Sequence, residues 1–226
     1  MKNIGVLISG GGTNLQALID KQGSVLKSGR IVCVCSNSSA AYGLKRAENA
    51  GIPTKVIRKN ADCGGNMDEF NRQICAYMKE MMVDVIVLAG FLAVLGGELL
   101  DEYADRIVNI HPSLIPSFCG DGFYGLKVHE EALKYGVKVT GATAHLVNEI
   151  TDGGKILLQK AVEIKEGDTP EVLQKRVMEE AEWIILPEAV ELVCKSVSTF
   201  SLIISLQIRG NFHYLCRRKA AEWRLL

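Results

Sequence analysis

The chain has no excess charge of either sign: 26 lysines and arginines face 26 aspartates and glutamates, for a formal net charge of zero. No basic patch stands out in the first 195 residues, which excludes a nucleic-acid backbone as a partner there, because binding one needs clustered cations. No apolar run reaches the roughly 18 residues of a membrane span. The N-terminus, MKNIGVLISGGG, lacks both the long apolar core and the small-residue cleavage site of a secretory leader. The chain therefore reads as cytoplasmic, with no membrane partner. Cysteine occurs seven times but never as C-x-x-C, so neither a zinc knuckle nor a redox pair is signalled, and no metal is expected. Cys33 and Cys35 alternate along an apolar stretch as core packing, and nothing near Cys119 favours a thiolate.

What is present suits one globular unit. A chain of 226 residues, 48% hydrophobic and 23% charged, can bury a sizeable core. Apolar runs at 3–9, 31–37 and 83–90 alternate with helix-period segments at 40–51, 67–82 and 125–136, and 59–66 reads as a polar loop. Such alternation predicts an α/β fold: a single domain with a Rossmann-like, mostly parallel sheet flanked by helices. VTGATAHLVN (139–148) and KILLQKAVEI (155–164) read as two further strands around the turn TDGGK. A long helix follows, with Thr169 as N-cap and a kink expected at Pro187. The domain is assigned to 1–195 and an atypical tail to 196–226.

The stretch IVNIHPSLIPSFCG (107–120) carries the densest chemistry. Strand side chains alternate faces, so Asn109 and His111 share one, about 7 Å apart. An amide donor beside an imidazole at the carboxyl end of a strand suits stabilisation of a developing oxyanion and proton transfer near neutral pH. A satisfied structural histidine and an amide bonded to a neighbouring loop are the plain alternative. Upstream, SGGGTNLQALI joins a strand to a helix through three glycines. Free N–H groups there would take a phosphate. A third glycine where Leu15 stands would be needed for the dinucleotide fingerprint, and no G-K-[ST] follows for a Walker loop. A single phosphomonoester therefore fits better than a pyrophosphate. TDGGK sets Asp152 in a turn from which a carboxylate would raise the pKa of His111 and hold its orientation. His145 either faces the same place or packs. His129 and His213 read as peripheral.

Together, SGGGTNLQALI, AGFLAVL (89–95), NIHPSLIPSF (109–118) and TDGGKILLQ (151–159) resemble the phosphoribosylglycinamide formyltransferases, in matching order over about residues 1–195. The resemblance implies transfer of a formyl group from 10-formyltetrahydrofolate, as co-substrate, to the amine of glycinamide ribonucleotide in purine biosynthesis. It implies catalytic roles for Asn109, His111 and Asp152, with His145 as a possible support. The ribonucleotide phosphate would lie on Gly12, Thr13 and Asn14, its ribose near Glu182, and folate along Leu92, Ala93, Val94 and Leu95, with Asn109 and Met67 contributing. The partners implied are these small molecules, with the protein a monomer or homodimer.

Two positions depart from the family: arginines expected at Ala93 and near Met67 are absent. The tail, with five basic residues and one acidic, matches no family pattern; an extra strand, an interaction segment and frame-shifted sequence all remain open. Three other readings stay in view. A formyltetrahydrofolate deformylase would normally carry an extra N-terminal domain. A methionyl-tRNA formyltransferase would need a C-terminal RNA-binding domain. A non-catalytic nucleotide-binding module would leave Asn109 and His111 structural.

Overall fold

A computed structural model describes the backbone of residues 1–208 and the side chains of residues 1–197. In chain order it contains β1 (Lys2–Ile8), α1 (Thr13–Lys21), β2 (Gly29–Ser36), α2 (Tyr42–Asn49), β3 (Thr54–Val56), α3 (Lys59–Cys63), α4 (Met67–Glu80), β4 (Val85–Leu88), α5 (Glu98–Glu102) and β5 (Ile107–His111). These are followed by α6 (Leu126–Tyr135), β6 (Val139–Leu146), β7 (Ile156–Glu163), α7 (Pro170–Val177), a π-helical turn (Met178–Glu182) and α8 (Trp183–Ile208). Among the described residues, seven strands form one sheet in the order β3-β2-β1-β4-β5-β6-β7. β3 to β5 run parallel, and β6 and β7 are antiparallel to their neighbours.

The period-two pattern of the strands divides the core in two. Ile4, Val6 and Ile8 of β1, with Val108 and Ile110 of β5, pack against Leu15, Leu18, Leu173 and Leu186 of the helices on one face. Leu7, Ile86 and Ile107 pack with Phe70, Ile74, Met78 and Leu99 on the other. On β5 this alternation leaves Asn109 and His111 on the Ile107 side, at the strand's carboxyl end.

Strand order reverses between β1 and β4, where a ligand crevice forms in such sheets. The loops leaving these strands are tied to each other. The Ser9 N–H donates to the Gly90 carbonyl at 3.0 Å, and the Leu92 N–H donates to Ser9 Oγ at 2.8 Å.

The sequence reading requires some corrections. The segment 59–66 is not all loop: Lys59–Cys63 is a short helix, with Asp62 bonded to the backbone N–H of Arg58 at 2.6 Å. The long C-terminal helix is irregular at Met178–Glu182 rather than at Pro187, which lies inside α8. Proline removes one N–H and crowds the carbonyl four residues earlier, and here the helix is irregular in the turn upstream. α8 runs through position 196 to Ile208, so 200–208 is helical and not an added strand. Residues 209–226, the rest of the expected tail with His213, lie outside the described residues. No helix among those described is long and apolar enough to cross a membrane.

Candidate active site

Beyond β5 the chain turns through HPSLIPSF, and buried Thr143 of β6 pins this turn. Thr143 Oγ1 donates to the Ser113 carbonyl at 2.7 Å and accepts from the Ile115 N–H at 3.1 Å. Gln159 Nε2 adds a bond to the Ile115 carbonyl at 3.0 Å. So anchored, the loop brings the carbonyl of Phe118 to 2.8 Å from His111 Nε2. A carbonyl only accepts, so this contact places a hydrogen on Nε2 and turns Nδ1 toward Asp152, whose Oδ2 is 3.4 Å away.

Asp152 sits at φ +55° in the loop between β6 and β7. The hairpin closes tightly beside it: a Cβ added at Gly154 would overlap the Leu146 carbonyl. The Asp152 carboxylate accepts from the Gly120 N–H at 2.9 Å and lies 3.4 Å from Asn109 Nδ2 and 3.5 Å from His145 Nε2. Burial pushes its pKa up. The adjoining His145 ring, the Gly120 N–H and the neighbouring His111 outweigh this and hold it below the usual carboxylate value. It is therefore an anion at neutral pH. For His111 the balance goes the other way: burial lowers its pKa below the ordinary histidine value, against the Asp152 charge and the Phe118 carbonyl, which raise it.

His145 is held at both nitrogens. Its Nδ1 is 2.8 Å from the Leu146 carbonyl, which requires a donor. The neutral ring then offers a lone pair at Nε2, 3.1 Å from Asn109 Nδ2. This contact turns the NH₂ end of the Asn109 amide toward His145 and Asp152. Four side chains from β5, β6 and the following loop thus meet on one wall of a cavity of about 760 Å³, a size that suits a small-molecule ligand.

The cavity extends to the glycine loop. Gly12, at φ +70°, is the N-cap of α1, so the first N–H groups of that helix have no intrahelical partner. Gly12, Thr13 and Asn14 line the cavity together with Glu182. The widened π turn carries Glu182, whose Oε2 accepts from Asn14 Nδ2 at 2.6 Å. Burial raises the Glu182 pKa to about 7, against that hydrogen bond. The Oδ1 of Asn14 has no protein partner and is buried. Leu92, Ala93, Val94 and Leu95 also line the cavity, with Leu92 63% and Val94 65% exposed, as a surface left for an apolar ligand would be.

Met67 is not brought here. It begins α4 and packs into the second core cluster, away from the cavity lining. In the other direction, His129 is not peripheral. It is fully buried on α6, lines the cavity, has no protein partner at either ring nitrogen, and is pushed down to about 4 by burial. Gln174 and Met178 also line the cavity. They precede Glu182 at four-residue intervals, a helical stripe visible in the sequence. Nothing in the sequence marked His129, because the loop that folds α6 over the cavity has no periodic pattern of its own.

A formyl transferase family pattern matches residues 2–190. The chain is 42% identical to the phosphoribosylglycinamide formyltransferase of Haemophilus influenzae, over 95% of this chain and 94% of that one. It is 46% identical to the human trifunctional purine biosynthetic protein adenosine-3 over 84% of its own length, but spans only 18% of that larger protein. The crystal structure of glycinamide ribonucleotide transformylase 1 from Symbiobacterium toebii superposes with a TM-score of 0.80 at 40% identity, covering 87% of this chain and 89% of that one. The chain belongs to the formyl transferase family, on the line of the phosphoribosylglycinamide formyltransferases.

Proposed function

We propose that the protein transfers the formyl group of 10-formyltetrahydrofolate to the amine of 5′-phosphoribosylglycinamide, a step of purine biosynthesis. The observation that carries this reading is the meeting of Asn109, His111 and Asp152 on a cavity wall that continues to the glycine loop. Folate is assigned to the stretch Leu92–Leu95, where exposed Leu92 and Val94 offer apolar contact.

As the amine attacks, negative charge grows on the formyl oxygen. Asn109 Nδ2 donates a hydrogen bond to it. His111 Nδ1, facing Asp152, supplies a second donor once the ring is an imidazolium. Burial disfavours that charge, and an oxyanion formed beside the ring adds a negative partner that favours it. Asp152, ionised before the attack, orients the ring and is positioned to accept the proton that the attacking amine must lose. The oxyanion then collapses, expelling the folate nitrogen, which takes up the proton that Asp152 received from the amine. The catalytic part is assigned to residues 1–195.

The test is consumption of 10-formyltetrahydrofolate with and without glycinamide ribonucleotide. Consumption only with the amine supports the transferase. Consumption without it would make the protein a hydrolase, and none at all, despite ligand binding, a nucleotide-binding module. The same assay on a chain ending at Lys195 checks the domain assignment, with an unchanged rate expected.

A further inference from the structure

The phosphate end of the cavity has a charge problem. Among the described residues, four carboxylates line the cavity (Asp121, Glu149, Asp152 and Glu182) and no lysine or arginine does. A phosphomonoester brought to the glycine loop meets backbone N–H groups and the positive end of α1. No cation on the cavity lining adds to that.

The missing cation lies behind the loop. Arg46, on α2, donates from Nε to the Gly11 carbonyl at 2.9 Å and from a terminal nitrogen to Gln16 Oε1 at 3.3 Å, with its guanidinium 5.2 Å above the Tyr42 ring. No carboxylate among the described residues forms an ion pair with it, so its charge is not cancelled locally. α2 also holds the preceding peptide, since the Gly43 N–H donates to the Gly10 carbonyl at 3.0 Å. The two elements are in such close contact that a Cβ on Gly12 would lie 2.5 Å from Gly43 Cα.

A trans peptide points its N–H opposite its carbonyl. With the Gly10 and Gly11 carbonyls drawn toward α2, the N–H groups of Gly11 and Gly12 face away from it, on the cavity side. Successive N–H groups aimed one way make an anion-binding concavity. Asn14 Oδ1, buried and without a protein partner beside them, is an acceptor left for a ligand hydroxyl.

We propose that Arg46 is the positioning residue for the substrate phosphate: its guanidinium holds the Gly11 carbonyl outward, so that the Gly12 N–H faces the cavity, and it supplies the positive charge the cavity wall lacks. This rests on the proposed ribonucleotide substrate and adds to it how that phosphate is held.

The experiment compares binding of ribose 5-phosphate and ribose to the wild type, Arg46→Met and Arg46→Lys, with binding of a folate analogue as a control for folding. The wild type should prefer ribose 5-phosphate. Arg46→Met removes the charge and frees the Gly11 peptide, and should weaken that ligand by about tenfold, the worth of one hydrogen bond to a charged group, leaving ribose and the folate analogue unchanged. Arg46→Lys, which keeps the charge, should recover part of the loss. In turnover, Arg46→Met should raise KM for glycinamide ribonucleotide with little change in kcat. Arg46→Met within twofold of wild type for ribose 5-phosphate, or an equal loss for ribose, would overturn the proposal. If the substrate reading alone were wrong, the wild type would show no amine-dependent transfer while the Arg46-dependent phosphate preference persisted.

Discussion

The Nδ1 of His111 lies 3.4 Å from Oδ2 of Asp152, while the opposite ring nitrogen lies 2.8 Å from the Phe118 carbonyl. Each side of the ring therefore faces an acceptor, an arrangement best satisfied by the imidazolium, yet burial holds the pKa below the ordinary histidine value. Of the influences on the ring, the Asp152 charge is the chief one that raises its pKa.

Asp152→Asn removes that charge. The His111 pKa should fall further, so a smaller fraction is protonated at neutral pH and the limb of the pH–rate profile that reports the acid moves to lower pH. Profiles of kcat for wild type and variant check this; identical profiles would count against the pairing.

Glu182 gives a stability prediction. Its folded pKa of about 7 stands above the ordinary 4.5, so between those values the folded state holds more proton than the unfolded state. Its contribution is therefore most favourable below about 4.5 and declines as pH rises to 7, by at most on the order of 3 kcal/mol. Glu182→Gln keeps an acceptor for Asn14 and abolishes this decline. Urea melts of the ligand-free protein at pH 5 and pH 8 should show wild type losing more stability than the variant over that interval; parallel losses would refute it.

Gly12 combines φ +70° with close contact to Gly43, so Gly12→Ala meets both a backbone penalty of about 1–2 kcal/mol and a steric clash. The glycine loop should shift, raising KM for the ribonucleotide by about tenfold while leaving folate binding unchanged. Steady-state kinetics with each substrate varied in turn separates the two.

The parallel half of the sheet was legible because β1, β2 and β4 are continuous apolar runs, and the Asn109–His111 pair because strand periodicity assigns faces without any knowledge of neighbours. Asp152 was legible only as a turn residue, since its partners Gly120, His111 and His145 come from elsewhere in the chain. Helical spacing tells which side of a helix is buried, and not whether that side meets core or cavity, so it gives no sign that α6 turns His129 to the cavity. Met67 was expected there from the family resemblance alone, and α4 packs it against the core. The π turn at Met178–Glu182 carries no proline or glycine to mark it, whereas Pro187 lies downstream inside α8.

The account stands most directly on His111. Turnover of 10-formyltetrahydrofolate and binding of glycinamide ribonucleotide should be measured together for wild type and His111→Ala. Loss of the acid should lower the rate by about 100- to 1,000-fold with ribonucleotide binding nearly unchanged. A variant that transfers the formyl group at the wild-type rate would contradict the account.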